Sequence, residues 1–223
     1  MPSSPQQLTL DGSRPLTLDT VQALNAFCDA AEDAAHGGDP AEPLVLRLNG
    51  APAGPAAPVL AVVNKWERAV RRLERLERPT VALATGTVGG TALDVLLATD
   101  YRIGGTGTRL LPAAAVDGVW PGMALYRLTN QAGVTAARRA VLFGTAIEAG
   151  QALALHLLDQ LADDPAAVLP AAARALAAAG GSGVGIRRQL MLDASTTSFE
   201  EALGRHLAAC DRVLRQGTLE VGA

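Results

Sequence analysis

The stretch with the clearest chemical content runs from Pro79 to Ile103 and reads PTVALATGTVGGTALDVLLATDYRI. Thr80-Val81-Ala82-Leu83-Ala84 is the near-continuous apolar run that a buried parallel strand shows. It leads into Gly86-Thr87-Val88-Gly89-Gly90, with a helical pattern behind it. Free backbone N–H groups at such a helix start point outward, and the macrodipole favours negative charge there. A turn of this kind can cradle an anion or the oxyanion of an activated carbonyl, and its glycines let a ligand reach the backbone. The spacing is neither GxGxxG nor GxxxxGK followed by Ser or Thr, which sets aside dinucleotide and P-loop readings.

Other chemistry-bearing residues are sparse. His36, His156 and His206 are scattered and fit no nucleophilic triad or metal spacing. Ser182, Ser195 and Ser198 lie in turn or cap contexts, which disfavours a serine hydrolase. Cys28 and Cys210 are the two cysteines, too few for a disulfide framework or a Cys-rich zinc site. The segment 59–78 carries Lys65, Arg68, Arg71, Arg72, Arg75 and Arg78 against Glu67, Glu74 and Glu77. Those charges either form a solvated face laced with i,i+4 pairs or meet phosphate groups of a ligand. Asp117, directly before Gly118, is a spare carboxylate or a turn former.

The elements that must position these residues alternate. Leu8-Thr9-Leu10 is a strand ended by Asp11-Gly12, and apolar spacing over about 17–36 predicts a helix stopped by Gly37-Gly38. Leu44 to Leu48 is a second strand, 51–58 a Pro/Gly loop, and 59–78 a strong amphipathic helix ended by Pro79. Helices are expected over 93–99, 135–142, 148–158 and 166–179, with another starting near Pro121-Gly122. Strands are expected at Tyr101 to Ile103 and Arg109 to Leu111. The order reads as α/β with crossovers between parallel strands. Ser198-x-x-Glu201, or alternatively Thr197-x-x-Glu200, caps a last helix bearing Leu203, Leu207, Cys210 and Leu214 at 4-3-4 spacing, a stripe suited to the core or to a subunit interface.

With 223 residues the chain is long enough for one substantial core. The formal net charge is −3, from 19 basic and 22 acidic residues, so no nucleic-acid partner is expected. The Met-Pro-Ser-Ser start lacks the flanks of a signal peptide, and no long uninterrupted apolar run follows. A cytoplasmic protein without membrane association is expected. Lys65 is the single lysine, and alanine comes in blocks. That pattern marks a compositional bias, so Ala-rich stretches carry little functional information.

The ordered motifs resemble those of the crotonase (enoyl-CoA hydratase/isomerase) superfamily. Pro79, Ala82, Gly86, Gly90, Asp100, Arg102 and Ile103 match its Pro-apolar-apolar-Ala, glycine-rich and Asp-apolar-Arg-Ile pattern. Gly118-Val119-Trp120-Pro121-Gly122 resembles its Gly-x-x-Pro-Gly, and Phe143 to Ala149 its Leu-Thr-Gly-x-x-Ile-x-Ala segment. The likeness covers about Leu8 to Leu161. Trp66-Glu67-Arg68, 98–103 and 120–128 look closer still to one branch, the small crotonase-like subunit of the dihydroxyphenylacetyl-CoA pathway.

The resemblance implies a ClpP/crotonase-like spiral of ββα-type repeats over 1–161, and a C-terminal helical region, 162–223, that serves oligomerisation as a homotrimer or hexamer. It implies an acyl-CoA substrate, coenzyme A entering only as part of that substrate, no metal or other cofactor, and a polyketide synthase as possible partner. By that likeness Asp94 takes the place of the first catalytic glutamate, one methylene shorter, and the Thr91 backbone N–H is one oxyanion donor. Gly90, Trp120 and Ala56 would contact substrate. The second glutamate falls on Ala113 or Ala114 and is missing. The other oxyanion donor should follow Ala53-Gly54, where Pro55 has no N–H, so Ala56 is the remaining candidate. The function implied is dehydration and aromatisation of a polyketide acyl-CoA built from malonyl-CoA units, toward dihydroxyphenylacetyl-CoA for peptide antibiotic precursors. The alternative is an accessory protein of the same fold that stimulates a type III polyketide synthase by binding.

Overall fold

A computed structural model describes residues 6–35 and 42–221; His36, at the end of the expected first helix, lies outside them. The first half of the chain runs β1 (Gln7–Asp11), α1 (Leu18–Ala35), β2 (Leu44–Asn49), α2 (Leu60–Leu73), β3 (Thr80–Thr85), β4 (Thr87–Gly89), α3 (Gly90–Leu96) and β5 (Tyr101–Gly105). Next come β6 (Arg109–Leu111), β7 (Ala114–Ala115), β8 (Gly118–Val119), α4 (Met123–Ala132), α5 (Val134–Phe143), β9 (Ile147–Glu148) and α6 (Ala149–Ala154). The chain then forms β10 (Gln160–Ala162), α7 (Pro165–Gly180), α8 (Val184–Asp193) and α9 (Phe199–Val221).

The main sheet has the order β1-β2-β3-β5-β10, with every pairing parallel. Side chains alternate across its faces. Leu44, Leu46, Leu48, Ala82 and Ala84 join the large core with α1, α2 and α3, while Val45, Val81, Leu83 and Ile103 face the other way. That second face is covered by Leu169, Val168, Ala172 and Leu176 of α7, at helical spacing. Apart from buried Pro165 the remaining α7 positions are exposed or partly exposed, so its alanines reflect composition and not burial on all sides. A smaller sheet, β4-β6-β9, extends the structure beyond the β3–α3 turn.

Several boundaries differ from expectation for physical reasons. Helix α2 stops at Leu73 and not at 78. The chain tightens into i→i+3 turns, Arg75 N–H to Arg72 O and Leu76 N–H to Leu73 O, which turns Leu76 into the core ahead of Pro79. Helix α3 starts at Gly90, three residues before the expected start at Leu93, so Thr91 and Asp94 both belong to it. The segment expected as one helix over 148–158 divides into β9 and α6, and the chain leaves α6 through His156 at φ +55°. Strands β4, β7, β8, β9 and β10 have only two or three residues each, too short for a period to register.

The boundary drawn between 161 and 162 falls inside β10, a strand of the main sheet, and α7 beyond it completes the second core. Helix α8 is anchored as well. Buried Arg188 donates to both Asp100 oxygens (2.6 Å to Oδ2), to Arg78 O at 2.9 Å and to Leu76 O. Of the two cap patterns Ser198 forms the box: its N–H donates to Glu201 Oε2 at 3.2 Å and the Glu201 N–H returns to Ser198 Oγ at 3.3 Å. Leu203, Leu207, Cys210 and Leu214 on α9 are exposed. Among the described residues no single helix is long and apolar enough to cross a membrane, and no group of three metal-ligating side chains converges.

Candidate functional site

A cavity of about 350 Å³ opens beside the start of α3. Three stretches of chain surround it: Ser13 to Leu16 after β1, the Pro-rich loop 52–58 after β2, and Ala113, Trp120, Ala124 and Leu125 around β7, β8 and α4. Its floor is α3 itself, through Gly90, Thr91, Leu93 and Asp94. The floor comes this close because of Gly90, whose φ is +52° and where an added Cβ would lie 2.9 Å from Gly12 O and 3.0 Å from Pro52 Cγ. Gly122, the N-cap of α4, serves the far wall: a Cβ there would sit 2.8 Å from the Trp120 ring.

All five residues expected at the site, Gly90, Thr91, Asp94, Ala56 and Trp120, border this one cavity. The donor role expected for Ala56 is not available to it. Its N–H donates to Ala114 O at 2.7 Å, a bond that ties the proline-rich loop to β7. With Pro55 lacking an N–H, neither residue after Ala53-Gly54 offers an amide to a ligand. Ala113 is on the cavity wall whereas Ala114 is exposed in β7, so Ala113 is the position at which a second acid would face the space. Asp117 sits exposed at the tip of the β7–β8 hairpin, away from the cavity, where it is a turn residue.

Among the described residues Asp94 is the one carboxylate bordering the cavity, and it is half-buried. Burial is the main reason its carboxyl is pushed up to about 7, and the neighbouring Glu67 adds to the rise. Two groups oppose this: the Trp66 indole N–H, which donates to Asp94 Oδ2 at 2.8 Å, and the Arg127 guanidinium. Arg127 is buried, which works against its charge, yet ion pairs with Glu74 (2.7 Å) and Glu67 (2.9 Å) hold its pKa above the usual value. An acid poised near neutrality can both take and return a proton, the property a single acid–base group needs. Cys28, by contrast, is buried, and burial pushes its thiol up to about 12, which leaves it inert as a nucleophile.

Trp66, Glu67 and Arg127 were not marked as site residues by local sequence pattern. Trp66 reads as one more apolar position on the buried face of α2, and Arg127 as an ordinary helical arginine. Trp66 meets Asp94 across 28 residues of chain, and the grouping depends on α2, α3 and α4 packing together. Half of the basic residues of α2 and the turn after it are committed to partners within the protein, and Arg75 is among those left exposed. Arg72 pairs with Asp29 and Glu32, Arg71 with Glu74, and Arg78 donates to Glu42 O, whereas Lys65 and Arg68 are exposed.

The chain is 51% identical over 211 residues to the enoyl-CoA-hydratase of Amycolatopsis orientalis, an alignment covering 94% of this chain and 95% of that one. A probable enoyl-CoA hydratase of Mycobacterium avium is 37% identical over 94 residues, 42% of this chain and 37% of that protein. Among solved structures, an enoyl-CoA hydratase from Shewanella pealeana superposes with a TM-score of 0.76 at 21% identity, covering 93% of this chain and 83% of that one. Pseudomonas aeruginosa PA4980 superposes at 0.73 and 23% identity, covering 90% and 92%. These two likenesses are of fold. No family model matches the chain.

Proposed function

Because the chain belongs to the enoyl-CoA hydratase (crotonase) superfamily, we propose that it processes an acyl-CoA thioester in the Asp94 cavity, dehydrating a polyketide acyl-CoA toward an aromatic dihydroxyphenylacetyl product. The observation that carries this reading is Asp94 itself, a cavity carboxyl held near neutrality and fixed by Trp66. As a carboxylate it takes a proton from the carbon beside the thioester carbonyl. The electron pair moves toward the carbonyl oxygen, next to the Thr91 N–H. When that pair returns, the C–O bond to the hydroxyl breaks and the same carboxyl hands its proton to the departing oxygen. One water leaves and Asp94 is restored. Aromatisation supplies the driving force, so one acid–base group, typically worth roughly 10²–10⁴-fold, is enough.

Adding water to a simple enoyl-CoA has no such driving force and normally shares its proton transfers between two carboxylates. Ala113 removes one of them. Crotonyl-CoA is therefore expected to be a poor substrate. The branch resemblance at Trp66-Glu67-Arg68 and 120–128 supports the narrower substrate, whereas the 51% identical Amycolatopsis enoyl-CoA-hydratase supports acyl-CoA processing in general. Coenzyme A enters only as part of that substrate, and the exposed leucines of α9 suit the trimer or hexamer such proteins form.

The absence of an N–H at Pro55 and the commitment of the Ala56 N–H to Ala114 O favour a second reading, a partner that raises the output of a type III polyketide synthase by binding alone. Reconstitution separates the two. The synthase with malonyl-CoA is run with and without this chain and with Asp94→Asn, and products are followed by mass. Loss of the increase in dihydroxyphenylacetyl-CoA with Asp94→Asn is the expected result; an undiminished increase would overturn the catalytic reading.

A further inference from the structure

We propose that the side-chain hydroxyl of Thr91 donates a hydrogen bond to the thioester oxygen, taking the place of the amide that the 53–58 loop does not supply. The assignment rests on the acyl-CoA reading above and concerns a group that reading does not use.

Four threonines are buried: Thr80, Thr91, Thr99 and Thr108. Three of their hydroxyls are spent within the protein. Thr80 Oγ1 donates to Asp100 at 2.9 Å, Thr99 Oγ1 to Leu96 O at 2.7 Å, and Thr108 Oγ1 to Ala84 O at 2.9 Å. Thr91 Oγ1 has no such partner among the described residues, although the residue is only 6% exposed. Among the described residues no buried side-chain oxygen or nitrogen is left unsatisfied, so this oxygen keeps accessible surface, and the space that Thr91 borders is the cavity. Leaving a nearly buried hydroxyl unbonded costs free energy unless a ligand or water meets it. A threonine inside a helix often returns its hydroxyl to a carbonyl three or four residues back. Thr91 is only the second residue of α3, so those residues, Thr87 and Val88, lie in β4 outside the helix.

The opposite side of the cavity explains why such a donor is needed. Pro55 has no N–H, and the Ala56 N–H is held by Ala114 O. With the hydroxyl added to its N–H, Thr91 presents two donors from one residue to a developing oxyanion. Asp94, one helical turn further along, remains free for the proton. Polarising donors of this kind act on charge that appears in the enolate and is absent from the neutral thioester, so their removal weakens enolate stabilisation more than binding.

The test uses Thr91→Val, which deletes the hydroxyl at nearly constant shape, and Thr91→Ser, which keeps it. Acetoacetyl-CoA is the probe, because its enolate absorbs in the near ultraviolet where the keto form does not. Butyryl-CoA, which forms no stable enolate, reports binding and folding. The unaltered protein and Thr91→Ser are expected to bind acetoacetyl-CoA as the enolate. Thr91→Val should lower the enolate-to-keto ratio by roughly 10²-fold while butyryl-CoA affinity stays within a few-fold. An enolate band of full strength with Thr91→Val would overturn the assignment and leave the acyl-CoA reading standing. Failure of the unaltered protein to bind either thioester would overturn both.

Discussion

Replacing Asp94 by Asn is expected to make the protein more stable at alkaline pH while removing its proton chemistry. Asp94 is raised from 3.8 in the unfolded chain to about 7 in the folded one, chiefly by burial and then by Glu67. A group shifted upward contributes its stability in full below the unfolded value and loses it as pH rises through the folded value. At about 1.4 kcal/mol per pKa unit, the rise costs the folded state roughly 4 kcal/mol once the group is ionised in both forms. Between about pH 5 and pH 8 the change attributable to Asp94 is roughly 2–3 kcal/mol. Asparagine keeps a carbonyl oxygen to accept from Trp66 and carries no charge, so this slope should vanish. Urea unfolding of both proteins across that range measures it: the two curves should converge toward acid and separate toward base, with Asp94→Asn the more stable. Parallel curves would show that burial and Glu67 do not strain this carboxyl, and the argument for a neutral-range acid would fail with them.

Two further outcomes follow from the same contacts. Trp66→Phe removes the indole donor that holds the Asp94 pKa down, so the carboxyl should titrate above 7 and any activity needing the carboxylate should move its acid limb to higher pH; a pH–rate profile reads this directly. Arg188→Met removes a buried guanidinium that donates to Asp100, to Arg78 O and to Leu76 O, which should cost about 1–3 kcal/mol in urea unfolding and expose the 181–198 segment to limited proteolysis.

The proposed narrowness of the reaction depends on what loop 53–58 and the β7 segment lack, not on what they contain. A second carboxylate at Ala113 would face the same cavity, and an N–H at position 55 could have reached the ligand. What remains bordering the cavity is one acid, Asp94, and the proposed substrate is one that contributes its own driving force.

Much of this protein could be read from its residues in order. The apolar run Thr80 to Ala84, the glycine turn behind it and the amphipathic pattern of α2 are local consequences of side-chain period and backbone freedom. They announced the parallel sheet and the helix beneath the site, while the lack of a second acid, at Ala113 or Ala114, came from the family resemblance and not from period. Other features came only with the fold. That Trp66 fixes Asp94, that Arg127 lies between Glu67 and Glu74, that Ala56 spends its N–H on Ala114 and that the Thr91 hydroxyl alone among the buried threonines is unspent are facts about groups far apart in the chain. A residue's type states which bonds it is able to make. Which of them it does make, and how strongly its charge is penalised, depends on the neighbours and the solvent that packing leaves around it.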